Sequence, residues 1–136
     1  MIYIGLPQWS HPKWVRLGIT SLADYARHFN CVEGNTPLYA LPKAEIVARW
    51  YEQTHDNFRF CFKFPATISH QAALRHCDDL SHEFFTRLAP LETRIGQYWL
   101  QLPATFGPGD LPALWHFLDT LPTQFTYGVE VRHPEF

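Results

Sequence analysis

Residues 30–42 read NCVEGNTPLYALP, an apolar strand start with Glu33 and Asn35 set inside it. Asn, Glu and Gly are poor strand formers, and a buried, unpaired carboxylate is expensive. Comparable intrusions are Lys63 in FRFCFKF, Gln101 in QYWLQLP, and Glu130 and Arg132 in TYGVEVRH. The set holds two carboxylates, two cations and two amides. Lys63 and Arg132 suit an anion as charge partners, and Asn35 and Gln101 can orient it. Glu33 and Glu130 are the candidates for general acid and base, and two carboxylates across a scissile bond are what glycoside hydrolysis uses. A desolvated Lys63 could instead form a Schiff base. The same six residues can also neutralise one another, so a purely structural polar network is the competing reading.

The elements that must position these residues alternate. Strand-like segments fall at 2–5, 31–35, 58–64, 97–103 and 126–133. Helix-like segments fall at 21–29, 43–54, 78–92 and 110–121, the third stepped at Pro90 and the last with Asp110 as N-cap. Strict β-α alternation predicts an α/β fold with parallel strands and right-handed crossovers. An open doubly wound sheet and a TIM-type (β/α)8 barrel both satisfy that pattern, but no GxGxxG follows the first strand.

Parity within the strands separates two faces. Phe60, Phe62 and Phe64 oppose Cys61 and Lys63; Tyr98, Leu100 and Leu102 oppose Trp99 and Gln101. Val32 and Gly34 oppose Cys31, Glu33 and Asn35, while Tyr127, Val129 and Val131 oppose Gly128, Glu130 and Arg132. Each strand then has one apolar face and one whose polar residues gather at its C-terminal end. That is what a barrel interior opening into a site requires, since ligands of α/β proteins sit at the C-terminal ends of the strands.

These stretches, with Gly5 and Trp9, FRFCFKFPATISH, QYWLQLPATFGP and YGVEVRHPEF, follow one another in an order and spacing that resembles the YecE-like family, domain of unknown function seventy-two. The resemblance spans residues 2–136 and implies a TIM-barrel-like fold with no established reaction. It places the family's motif positions on Trp9, Glu33, Asn35, Tyr39 and Pro42, on Lys63, His70, Gln101 and Pro103, and on Glu130, Arg132 and His133. The stretch GLPQW departs from the small or hydroxyl residues usual after that glycine. Similar proteins run to about twice this length, and a TIM barrel typically takes about 250 residues. Residues 1–136 are therefore expected to form a single domain, the N-terminal half of a barrel comprising strands one to five. Unpaired edges then predict pairing with another copy, rearrangement or marginal stability.

Other residues carry weaker chemistry. His70 and His133 could exchange protons, or could serve only as a neighbour of a helix N-cap and as the end of a strand before Pro134. Trp9 and Tyr39 follow strands, where binding roles are common, and Trp14 could add a stacking surface for a sugar. Trp50 and Trp115 sit at core spacing on helices. No HxxxH, HExxH or acidic cluster points to a metal, and no cofactor motif is present. Net charge is −2, so no basic stripe argues for nucleic acid, although the Trp-rich first loop could stack on unpaired bases. Three cysteines outside CxxC spacing favour reduced thiols and a cytoplasmic protein; no signal peptide and no membrane span is expected. The reading is an enzyme binding a small polar or anionic ligand, sugar-like or phosphorylated, at the strand C-termini. The alternative is a non-catalytic binding module.

Overall fold

The computed structural model describes residues 1–136. Its five strands are β1 (Gly5–Leu6), β2 (Cys31–Gly34), β3 (Arg59–Lys63), β4 (Ile95–Gln101) and β5 (Tyr127–Glu130). All neighbouring pairs are parallel, and the sheet order is β1-β2-β3-β4-β5. That order decides between the two architectures. A doubly wound sheet reverses its strand order at a switch point, whereas a barrel winds on in one direction. The fold is α/β and forms a half TIM-barrel-like unit.

The helices are α1 (Leu22–His28), α2 (Thr36–Tyr39), α3 (Ala44–Glu52), α4 (Asp78–Leu88) and α5 (Leu111–Thr120). Ser21 caps α1, its hydroxyl accepting from the Asp24 amide at 3.1 Å. Beyond α4 the chain tightens into a 3-10 segment, Ala89–Arg94, so the expected step falls at Pro90, whose ring cannot continue the α-helical ladder. The short α2 was not expected, because four residues are too few to show a period. Asp110 does not cap α5 with its side chain; the carboxylate turns back to accept from the Gly107 amide at 3.0 Å.

One face of the sheet is the core. Phe60, Phe62 and Phe64 are buried, with Phe60 and Phe62 stacked at 5.1 Å and Trp50 lying parallel to both. Phe64 meets Phe84 of α4 and Phe117 of α5. Rings dominate this core because offset and edge contacts add to area burial. Gly34 is needed here: a Cβ at that position would lie 2.6 Å from the Phe62 ring. Trp115 corrects the sequence reading. Leu114 and Phe117 fill the inner side of α5, and Trp115, rotated away from them, is 59% exposed.

Both edges of the sheet depart from the sequence expectation. Only Gly5 and Leu6 form β1, and residues 2–4 are tied down differently. The Asn30 side chain donates to the Ile2 carbonyl at 2.8 Å and accepts from the Ile4 amide at 2.7 Å. At the other edge, Val129 and Val131 have the parity of core residues yet are exposed, because no helix covers that side of β5. Between them, β4 carries a bulge: Phe60 pairs with Ile95 but Cys61 with Gln97. The extra residue keeps Gln97, Trp99 and Gln101 on the face shared by Cys61 and Lys63.

Candidate functional site

The second face of the sheet is half-buried and carries Cys31 and Glu33 of β2, Arg59, Cys61 and Lys63 of β3, Gln97, Trp99 and Gln101 of β4, and Gly128 and Glu130 of β5. Polar residues run along the face and do not gather only at its C-terminal end, since Arg59 and Gln97 lie near the strand starts. Burial pushes the Cys31 and Cys61 thiols up, which keeps both protonated and poor as nucleophiles at neutral pH.

Strand register groups the rest. Lys63 pairs with Trp99, and Trp99 with Gly128; Gln101 pairs with Glu130. The Lys63 ammonium donates to Gln101 Oε1 at 2.9 Å and sits 4.6 Å from the centre of the Trp99 ring. No carboxylate pairs with it. The ion pairs of the chain are Arg27–Asp24, Arg75–Asp110, Arg94–Asp56 and Arg132–Glu130. Arg132 and Glu130 thus offset one another at 2.7 Å, as the sequence allowed, while Lys63 does not share in that neutralisation.

Glu33 and Asn35 lie at the other end of the mouth. They line a cavity of about 390 Å³ with Trp9, Ser10, Thr36 and Tyr39. Asn35 donates to the Pro7 carbonyl at 3.3 Å, but its Oδ1 is buried and accepts nothing. A buried amide oxygen without a donor is costly, so this atom calls for one. Tyr39 is 82% exposed at the end of α2. Trp9 is half committed to packing, edge-on to Trp50 at 5.1 Å and to Phe60 at 6.2 Å.

The two histidines sit on loops beyond the strands. His70 lies in a π-helical turn, Thr67–Gln71, with Nδ1 2.7 Å from the buried Ser69 hydroxyl. His133 Nδ1 accepts from the Glu135 amide at 3.0 Å, so the proton of the neutral ring is on Nε2. Its ring rests on Gly107, where a Cβ would lie 3.0 Å away. Gly107 is in turn held by Asp110, and Asp110 accepts from Arg75 at 2.9 Å. The Arg75 guanidinium, then the Gly107 amide, holds the Asp110 carboxyl below its usual range. Arg75 belongs to a segment in which Ala73, Leu74 and His76 all take positive φ, and Leu74 is buried as its anchor. No hydrogen bond joins either histidine to Lys63, Glu33 or Glu130.

The structure therefore brings Lys63 and Gln101 together, with Glu130 and Arg132 beside them. It gathers Trp9, Glu33, Asn35 and Tyr39 in a separate part of the mouth and leaves His70 and His133 on its rim. Sequence reasoning passed over Trp99, although its parity with Gln101 marked it. Asp110 was legible only as a helix N-cap, and its pairing with Arg75 carried no sequence signal, because the chain joins the two only through loop geometry.

A family model described as "Protein of unknown function DUF72" matches residues 3–136. The chain is 83% identical over 136 residues to the UPF0759 protein YecE of Escherichia coli (strain K12), covering 100% of the chain and 50% of that relative. Among solved structures, the DUF72 family protein EF0366 of Enterococcus faecalis V583 aligns with a TM-score of 0.78 at 29% identity, over 96% of this chain and 50% of that one. The DUF72 family protein TM1631 of Thermotoga maritima MSB8 shares the fold, with a TM-score of 0.77 at 22% identity over 98% of this chain and 56% of that one. The chain spans about half the length of the curated relatives it matches.

Proposed function

The chain belongs to the DUF72 family, and on that premise we propose that it is the N-terminal half of a (β/α)8 barrel that binds a small anionic ligand at the C-terminal mouth of its strands. The observation that carries this reading is the Lys63 ammonium, half-buried and held by a neutral amide and an indole, with no carboxylate to offset it. A cation kept in that state is stabilised by an incoming phosphate or carboxylate. Gln101 fixes the ammonium, and Asn35 lines a separate part of the same mouth. In this reading Glu33 and Glu130 are the groups that would move protons. Hydrolysis or isomerisation of a sugar-like or phosphorylated compound is the reaction class we favour, by analogy with other barrels.

The exposed β5 edge, with Val129 and Val131, supports self-association of the chain. Three unpaired thiols fit a reducing cytoplasm, and no helix is long and apolar enough to cross a membrane.

Thermal unfolding with added inorganic phosphate tests the ligand reading. Binding to the folded chain raises the midpoint in proportion to the logarithm of ligand concentration above Kd. The chain should show that rise, and Lys63→Met, which keeps the aliphatic stem, should lose it. An equal rise in both proteins, or none in either, would refute the assignment to Lys63.

A further inference from the structure

The cavity of about 390 Å³ at the end of β2 has the opposite charge character to the Lys63 site. Glu33 is the one charged residue that lines it; the others, Trp9 and Tyr39 among them, are uncharged. Glu33 is half-buried and belongs to none of the ion pairs of the chain. On the neighbouring strand Lys63 turns away from it toward β4, where Gln101 and Trp99 hold the ammonium. A carboxylate drawn partly out of water without a partner is costly, and a cation removes that cost. The wall around it is already built. Asn35 Nδ2 donates to the Pro7 carbonyl at 3.3 Å and Gln8 Nε2 to the Ser10 carbonyl at 2.9 Å, so the loop after β1 is held against the end of β2. Trp9 is fixed edge-on against Trp50 and Phe60, while Tyr39 leaves its ring in solvent.

We infer that this cavity receives an organic ammonium group, whose charge meets Glu33 beside the rings of Trp9 and Tyr39. A carboxylate and two aromatic side chains recognise such a group together, the first by charge-assisted hydrogen bonds and the others by cation–π attraction. A neutral sugar could use the same rings, but it would leave the carboxylate without a counter-charge. The volume suits a small amine with a short aliphatic chain. The inference goes beyond the anion reading and does not depend on it, since Lys63 lines no part of this cavity. A carboxylate that holds an ammonium is also placed to exchange a proton with it, so the role proposed above for Glu33 is kept.

The test titrates the chain with n-butylammonium and with butan-1-ol, followed by the NMR signal of the Trp9 indole N–H. The probes share a carbon chain and differ in charge. Butylammonium should bind at least about tenfold more tightly, the size expected of a hydrogen bond to a charged group. Glu33→Gln, nearly the same in shape, should abolish that preference. Tyr39→Ala, at an exposed position, should weaken amine binding about two- to fivefold, so the test survives a failure of the Glu33 variant to fold. Lys63→Met should bind the amine as before, which separates this site from the phosphate site. Equal affinity for the two probes, a preference that persists in Glu33→Gln, or no binding of butylammonium would overturn the inference and leave the anion site standing. Saturable binding of glucose without binding of butylammonium would give the cavity to neutral polyols and overturn it as well.

Discussion

The Tyr25 hydroxyl oxygen lies 2.8 Å from the Leu6 amide and accepts its proton. The same hydroxyl donates to the Cys31 carbonyl at 2.8 Å, so one side chain of α1 ties β1 to β2. With β1 reduced to two residues, this bridge and the Asn30 side chain do much of what a longer ladder would do. Tyr25→Phe keeps the buried ring and strips both bonds. It should cost about 1–3 kcal/mol, the penalty of leaving a buried donor and acceptor unpaired. Urea unfolding gives the magnitude, and faster hydrogen exchange at Leu6 would localise it. Unchanged exchange at Leu6 would count against the bridge.

The buried phenols make stability fall at alkaline pH. Burial pushes Tyr25 and Tyr127 up to about 12, and Tyr98 is also raised. The unfolded phenol ionises near pH 10. Each group therefore contributes fully below about pH 10, and that contribution is lost as the unfolded state ionises ahead of the folded one. The urea midpoint should fall between about pH 10 and 12. Because the folded chain holds these protons, phenolate absorbance should lag behind that of the unfolded chain.

Arg94 is the buried cation of the opposite pole. It is 5% exposed, donates to the Thr54 carbonyl at 3.1 Å and hydroxyl at 2.9 Å, and donates to the Tyr51 carbonyl. These bonds satisfy carbonyls at the C-terminal end of α3, which the helix itself leaves open. Arg94→Met should destabilise the chain by about 2–4 kcal/mol. Asp56→Ala should cost about 0–1 kcal/mol, because the Asp56 side chain is 99% exposed where it meets Arg94. Similar losses in the two variants would mean that the ion pair, and not the carbonyl contacts, holds this corner.

Gly34 and Gly109 offer a contrast within one residue type. Gly34→Ala drives a methyl to 2.6 Å from the Phe62 ring, while at Gly109 a Cβ meets nothing within 4 Å. The first substitution should cost about 1–3 kcal/mol as the stacked rings move. The second should leave the chemical-denaturation midpoint close to its starting value.

Self-association should track the β5 edge. Sedimentation at rising concentration should show a shift toward dimer, and Val129→Lys should weaken it, as lysine on an exposed strand does elsewhere. A chain that stays monomeric at all concentrations would remove the edge as a docking surface.

The parity of Phe60, Phe62 and Phe64 made the buried face legible from sequence, and with it the opposite face that holds Lys63 and Gln101. Strand parity reads well because two residues suffice to tell the faces apart. Helical spacing read less well at Trp115, where Leu114 and Phe117 had already filled the inner side. Val129 and Val131 kept the apolar character of core residues while lacking anything to cover them, and no local pattern reveals what a later element would bury. The His133 support is similarly non-local: Arg75, Gly107 and Asp110 meet through loops, one of them held by positive φ. Only the structure could join them.

The strand order carries a kinetic consequence. Every strand pairs only with its neighbours in sequence, so no contact of the sheet waits for a distant part of the chain. Each new strand and helix can dock on units already made, and loop closure never spans more than one crossover. A chain emerging from the ribosome could thus assemble its sheet in the order of its synthesis, with the Tyr25 bridge closing first and the β5 edge last.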